Sequence, residues 1–257
     1  MMDPRKEYST EEGLTKLQGA LADEKRPALA KYQEITVGSR SLTALLKYEL
    51  FSLFLMPLPG ALGLLLRKKC SKGLFGSVGK NVVIGRNVVV RHPHKVRLGS
   101  GVVIDDNVVL DAKGESNAGI EIGDNVIIGR NTALSCKDGD LSIGANSNIA
   151  MNCFIQSGKE VRIGENVLIA AYCYVIGGGD HKSDRIDVPV MRQGQVIEGI
   201  TIGDNCWLGA GVLVQDGSTI GRDSIVGSGA VVTKDIREYS VAVGVPAKVV
   251  KDRRADV

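Results

Sequence analysis

The sequence predicts an all-β solenoid, with short strands wound into stacked coils, and three observations between Ile200 and Asp235 predict it. Every sixth residue is a large aliphatic: Ile202, Leu208, Val214, Ile220, Val226 and Val232. Two places before each stands an apolar or small residue: Ile200, Cys206, Val212, Ser218, Ser224 and Ala230. The place just after is mostly glycine, at Gly203, Gly209, Gly221 and Gly227. A period of six is neither the helix period nor simple strand alternation. A strand sends alternate side chains to one face, so the aliphatic and the residue two before it both point inward. Gly and Asn after the aliphatic suit a sharp turn, because they take positive φ cheaply. Three such strands close a triangular coil, and coils stack about 4.8 Å apart through parallel pairing.

Residues 1–75 precede this repeat and read as a helical segment. Residues 1–40 are polar and mixed in charge. Ser9 and Glu12 make a capping box ahead of the Leu14, Leu17 and Leu21 stripe, which predicts a short surface helix. Further on, Leu42, Leu45, Leu46 and Phe54 fall on one helical face. Leu50 to Leu66 carries no charge, and Arg67, Lys68 and Lys69 follow at once. Those 17 residues are marginal for a bilayer span. Pro57, Pro59, Gly60 and Gly63 also break the helix in its middle. Two readings stay open. The stretch caps the end of the solenoid core, or residues 42–69 make a peripheral or monotopic membrane contact with the basic triplet at the headgroups. A run that is apolar all round favours the membrane.

The six-residue frame holds from residue 76 to residue 235. Ile84 and Val90 belong to it, then Leu98, Ile104 and Leu110, then Ile122, Ile128 and Leu134. Ile143, Ile149 and Ile155 follow, and after them Ile163, Ile169 and Val175. This makes about seven coils, with slips at 113–119, 137–140 and 158–160. His92-Pro93-His94 invites a metal reading, but the third histidine, His181, lies about four coils away, roughly 19 Å. Zinc ligands sit about 2 Å from the metal, so the pair reads as a turn with exposed imidazoles. Of the five cysteines, Cys153, Cys173 and Cys206 occupy the inward slot and read as small buried hydrophobes.

After Val175 the repeat stops, and it resumes at Ile202. Residues 176–199 must leave the solenoid as a loop, which opens Gly177-Gly178-Gly179-Asp180-His181 and passes through Asp184, Arg185, Asp187, Pro189 and Arg192. Long loops in compact repeat proteins carry function or are disordered. Histidine is the side-chain type best suited to act as a general base at neutral pH, which makes His181 the candidate, although a lone loop histidine is more often solvated. Trp207 stands one place before the inward Leu208 and faces out. Net charge is +3 and aromatics are 4%, which gives no nucleic-acid signal.

Three stretches carry a resemblance. They are Thr201-Ile202-Gly203-Asp204-Asn205-Cys206-Trp207-Leu208-Gly209, Gly229-Ala230-Val231-Val232-Thr233-Lys234-Asp235, and Gly244-Val245-Pro246-Ala247-Lys248. Over residues 78–251 the chain resembles the hexapeptide-repeat acyltransferases, in particular the maltose, galactoside and nodulation-factor O-acetyltransferase group and polysaccharide O-acetyltransferases. The first 75 residues do not share the likeness. The resemblance implies a left-handed parallel β-helix, a homotrimer, acetyl-CoA as donor and no metal in catalysis. It implies His181 as catalytic base, in a groove between subunits. Trp207 would meet the pantetheine arm, and Ala210 and Ser228 would meet the cofactor through their backbone. Lys234, Lys248 and Lys251 match basic cofactor-contacting positions; the last two stand where the group has arginine, and residues 236–257 would close the site as a tail. Asn152, Asp180, Asp184 and Arg192 are candidates for the acceptor side, Asp180 also for orienting His181. The group's own acceptor asparagine falls on Ala150 here.

The activity so implied is acetyl-CoA-dependent O-acetylation of a sugar hydroxyl, in the cytoplasm; the Leu50–Leu66 run, on its membrane reading, extends this to a membrane-bound glycan or polysaccharide precursor at the cytoplasmic face. The alternatives are N-acetylation of an amino sugar or antibiotic, a zinc hydratase of the carbonic anhydrase type, and a non-catalytic scaffold.

Overall fold

The protein was analysed as a computed structural model that describes residues 25–178 and 180–256. The predicted Ser9–Leu21 surface helix lies outside the described residues.

Three helices come first. α1, Ala28–Tyr32, runs on into a π turn at Gln33–Val37. α2, Leu42–Leu50, runs on into a second at Phe51–Leu55. Pro57 and Pro59 then stop the chain, since proline removes a donor and clashes with the preceding turn, and α3, Gly60–Cys70, starts afresh.

Twenty-three strands follow up to Val232, and the solenoid strands form three parallel faces. The first face runs from Ser77–Val78 through Val96–Leu98, Ile120–Ile122, Asp140–Ile143, Glu160–Ile163 and Ile200–Ile202 to Thr219–Ile220. The second runs from Val83–Ile84 to Ile225–Val226, and the third from Val89–Arg91 to Val231–Val232. Seven coils are complete. An eighth is partial: Ile236 bridges Ile220, Ser240–Val243 pairs with Ile225–Val226, and Lys248–Asp252 folds back antiparallel upon it. The solenoid therefore continues past Asp235 into the stretch expected as a tail.

The period places the core. All six aliphatics of the repeat and all six residues two places earlier are buried. Cys153, Cys173 and Cys206 are buried free thiols, as the inward slot requires. Burial pushes the Cys206 thiol up to about 11 and Cys136 up to about 12.

The glycines following the aliphatics have a different reason from the one expected. Gly203, Gly209 and Gly221 are not at positive φ. A Cβ on Gly203 would stand 2.6 Å from Arg222 N, and one on Gly209 2.6 Å from Ser228 N. These residues are glycine because the next coil's backbone lies on top of them. Positive φ falls two residues later, at Asn205 (φ 56) and Gly211 (φ 70), and at Asn87, Asn107, Asn131 and Asn152 in earlier coils. Asparagine tolerates this region, and stacked side chains link into a ladder, with Asn107 Nδ2 donating to Asn131 (3.2 Å) and Asn131 to Asn152 (3.1 Å).

The 42–69 stretch is a cap on one side. Phe51, Met56 and Phe75 enter the solenoid core, and Tyr48 Oη donates to Val90 O at 2.9 Å. Arg67 is 1% exposed; its guanidinium donates to Ile84 O, Leu55 O and Leu58 O at 2.8, 2.8 and 2.7 Å. It thereby satisfies the Leu55 and Leu58 carbonyls, which the proline break leaves without helical partners, and ties them to the first coil at Ile84.

His92 departs from the exposed turn expected of it. The segment around α1 covers it: His92 N donates to Thr36 O, and its Nε2 lies 2.9 Å from Glu34 O. Burial lowers its pKa. His94 beside it is exposed. Among the described residues no group of three or more His, Cys, Asp or Glu could hold a metal ion.

Candidate active site

The excursion leaves after Gly177, at the corner between the third and first faces. Gly178 has φ +116, and a Cβ there would stand 2.8 Å from Ile197 Cγ2, so the two legs of the loop touch where it departs. The loop is an arm rather than an open coil. Asp180–His181 pairs antiparallel with Gln195–Val196, and Lys182 N donates to Gly194 O at 3.1 Å. Farther out Gln193 clasps it, donating to Arg185 O and Val188 O at 2.6 and 2.8 Å and accepting from Arg185 N at 3.1 Å. At the returning leg, Asp216 accepts from Glu198 N and Gly199 N. Asp184 is exposed and Arg192 partly covered on this arm.

His181 is exposed, and its Nε2 lies 3.0 Å from Gln195 Nε2. An amide nitrogen donates. In the tautomer that accepts at Nε2, the imidazole offers there the lone pair a general base needs. Gln195 faces His181 because the strands pair His181 with Gln195. Position in the sequence does not reveal this partner, since it depends on the register of the arm. The Asp180 backbone pairs with Val196.

A second group gathers elsewhere. Trp207 stands outward on the second face, 52% exposed, with Leu168 and Ile225 as its paired neighbours. Along the same outward row Ile225 pairs with Val241, and Val241 with Lys251. Three strand spacings separate Trp207 from Lys251, about 14 Å. Lys248 pairs with Val243 on the same edge. The row changes from aromatic and apolar to basic as it approaches the end of the solenoid. Ala210 and Ser228 are exposed at the corner between the second and third faces, and they stack, with Gly229 N donating to Ala210 O at 2.8 Å. Asn152 occupies the same corner two coils earlier, where its Oδ1 accepts from Asn131.

Between Asn152 and Gly211 in this column stands Tyr172, at φ +63 and 66% exposed. A bulky side chain in the left-handed region is uncommon. Tyr239, which also has positive φ, is held between Arg222 and Arg254, whose guanidinium carbons lie 5.3 and 4.9 Å from its ring centre. Tyr172 shows its ring to solvent beside Met151, also exposed. Only its register with the asparagine slots, read together with the backbone, marks it.

The structure therefore brings Trp207, Ala210, Ser228, Lys248 and Lys251 to one strip. It sets His181, Asp184, Arg192 and Lys234 at or beyond the other edge of the third face. One face of the prism separates the two groups within a single chain.

Comparison with known proteins bears out the resemblance carried by the repeat. The family model described as bacterial transferase hexapeptide (six repeats) matches residues 199–234, and one described as hexapeptide repeat of succinyl-transferase matches residues 77–112. A probable acetyltransferase of Mycobacterium tuberculosis is 37% identical over 163 residues, covering 63% of this chain and 53% of that protein. The galactoside O-acetyltransferase of Escherichia coli is 38% identical over 116 residues, covering 44% of this chain and 54% of that protein. The chain thus spans about half the length of the curated relatives it matches. An N-acyltransferase of Bacillus cereus, solved with dTDP and 3-hydroxybutyryl-CoA, shares the fold at TM-score 0.52 and 21% identity, covering 74% of this chain and 89% of that one.

Proposed function

We propose that this hexapeptide-repeat chain is an acyltransferase that uses acetyl-CoA to acetylate a sugar hydroxyl on a glycan or polysaccharide precursor. One observation carries the reading. Residues scattered from Trp207 to Lys251 fall on a single strip, while the interrupted coil holds out the exposed imidazole of His181. Coenzyme A is a thioester arm ending in phosphates. An aromatic and apolar row that becomes basic at its far end matches that order, with lysines meeting phosphate as point charges.

Transfer is direct. The acceptor hydroxyl displaces Gln195 at His181 Nε2 and gives up its proton there as its oxygen attacks the thioester carbonyl carbon. The carbon–sulfur bond breaks, and coenzyme A leaves as thiolate and takes up the proton from the imidazolium. An O-acetyltransferase and an N-acyltransferase both stand among the similar proteins. An amine acceptor is accordingly the second reading.

Separation of the two groups across one face favours a site shared by subunits. The outward rows support this. On the first face that row is polar, with Arg97, Glu121, Ser142, Arg162 and Thr201, whereas the third face carries Val89, Ala133, Phe154, Tyr174 and Leu213. With Val103, Ile127, Leu168, Trp207 and Ile225 in the second face's outward row, the chain has two different apolar faces, which suit a heterologous contact that closes into a ring, here a homotrimer with His181 of one subunit facing the donor strip of the next. A coenzyme A thioester and free thiols suit a reducing compartment, the cytoplasm.

The test is release of free coenzyme A from acetyl-CoA in the presence of candidate glycans. Acceptor-dependent release that vanishes in His181→Ala is expected. Release that continues at the wild-type rate in the variant would remove His181 from the chemistry.

A further inference from the structure

The helical cap has two apolar sides. Tyr48 and Phe51 on α2 and its π turn, and Arg67 on α3, are buried on the side that meets the first coil. The exposed side of α2 and its π turn carries Leu42, Leu46, Leu53 and Phe54, and that of α3 carries Leu62 and Leu65. All six are between 60% and 71% exposed. A cap needs only its inner side apolar, so the solenoid core gives no account of these leucines. Single exposed leucines are ordinary, but a patch of this kind marks a contact.

Charge says what kind. Between residues 42 and 72 the only acidic residue is Glu49, and it accepts a hydrogen bond from Tyr32 Oη at 2.5 Å. Against it stand Lys47, Arg67, Lys68, Lys69 and Lys72. Lys68, Lys69 and Lys72 are exposed at the C-terminal end of α3 and the turn after it, and Lys69 lies on the same side as Leu62 and Leu65. No helix among the described residues is long and apolar enough to cross a membrane, and the proline break turns the chain back after two short helices. We propose that the outer side of α2 and α3 docks on an anionic lipid bilayer. The leucines enter the headgroup–acyl boundary of one leaflet, and the three lysines meet the lipid phosphates.

The docking surface sits at the first coil, while the excursion leaves from the fifth. About four coil spacings, some 19 Å, separate them along the solenoid. An acceptor presented by the same membrane must extend that far from it, as a glycan chain on a lipid carrier does. This last step rests on the acyltransferase reading; the docking itself does not, because it needs no donor or acceptor.

The experiment is co-sedimentation of the full chain with phosphatidylcholine vesicles, with and without phosphatidylglycerol, in the absence of acetyl-CoA. Pelleting with anionic vesicles is expected, falling steeply as salt is raised. Lys68→Gln/Lys69→Gln/Lys72→Gln should lower partitioning about a hundredfold at low salt, at roughly fivefold per lysine. Leu46→Gln/Leu53→Gln/Leu65→Gln, all at solvent-facing positions, should lower it at least about tenfold while circular dichroism and oligomer mass stay unchanged. Wild-type protein that stays in the supernatant with anionic vesicles overturns the proposal. So does a leucine variant that pellets like wild type. A leucine variant of reduced oligomer mass would show a second copy covering this side, and would overturn it as well.

Discussion

Replacing Tyr172 with asparagine should make the protein more stable and, on the acyltransferase reading, less active. Tyr172 sits at φ +63 in a column whose other members are asparagine or glycine. For an ordinary side chain the left-handed region costs roughly 1–2 kcal/mol, and asparagine escapes much of that, so relief contributes about 1 kcal/mol. Asn152 lies directly beneath, with its Oδ1 already accepting from Asn131. A new asparagine would accept from Asn152 Nδ2 and extend the ladder, for about 0.5 kcal/mol at an exposed site. Little packing is lost, because the ring is 66% exposed. The net gain is about 1–1.5 kcal/mol. Urea unfolding followed by circular dichroism reads it, at fixed protein concentration because assembly contributes to stability. Strain of this kind persists where it serves a site. Transfer to the acceptor should therefore fall while acetyl-CoA affinity holds. Loss of stability in Tyr172→Asn would refute the reasoning, since the ring would then make contacts that outweigh the strain.

The other expectations are simpler. His181→Ala should lower turnover by about two to four orders of magnitude, the usual range for a general base, with the sedimenting mass unchanged from wild type. Gln195→Ala, which frees the imidazole, should lower kcat by about tenfold and leave acetyl-CoA affinity unchanged; wild-type kcat would dismiss Gln195 as an orienting group. Arg67→Met should cost about 3 kcal/mol in urea unfolding, because three buried carbonyls lose a charged donor, and a change within 1 kcal/mol would contradict this. Burial holds Cys136 and Cys206 well above pH 8 as protonated thiols. At that pH a thiol-exchange reagent should modify Cys70 alone in the native protein and all five cysteines after denaturation.

The solenoid was readable because its period is local. Ile202 and Cys206 are buried for the same reason, a strand that alternates and a turn that repeats. The excursion was readable as a failure of that period. What depended on contacts between distant segments was not. Gly203 is spaced for a turn, yet its real constraint is the backbone of Arg222 in the next coil. His92 looked like an exposed turn because nothing in its neighbourhood shows that Glu34 and Thr36 cover it. Gln195 reaches His181 only once the arm has paired in register. The 42–69 stretch offered cap or membrane as alternatives because composition does not divide a helix into sides. The packed structure does, with Tyr48 and Phe51 turned inward and Leu46 and Leu53 turned out.

The most direct test of the donor assignment is calorimetric titration of the intact protein with acetyl-CoA and with coenzyme A, beside Trp207→Ala. Binding in the micromolar range that weakens about tenfold or more in the variant is expected, consistent with loss of an aromatic contact of some 1.5 kcal/mol that the ligand covers on binding. No heat at millimolar ligand would contradict the assignment, and the strip from Trp207 to Lys251 would then need another ligand.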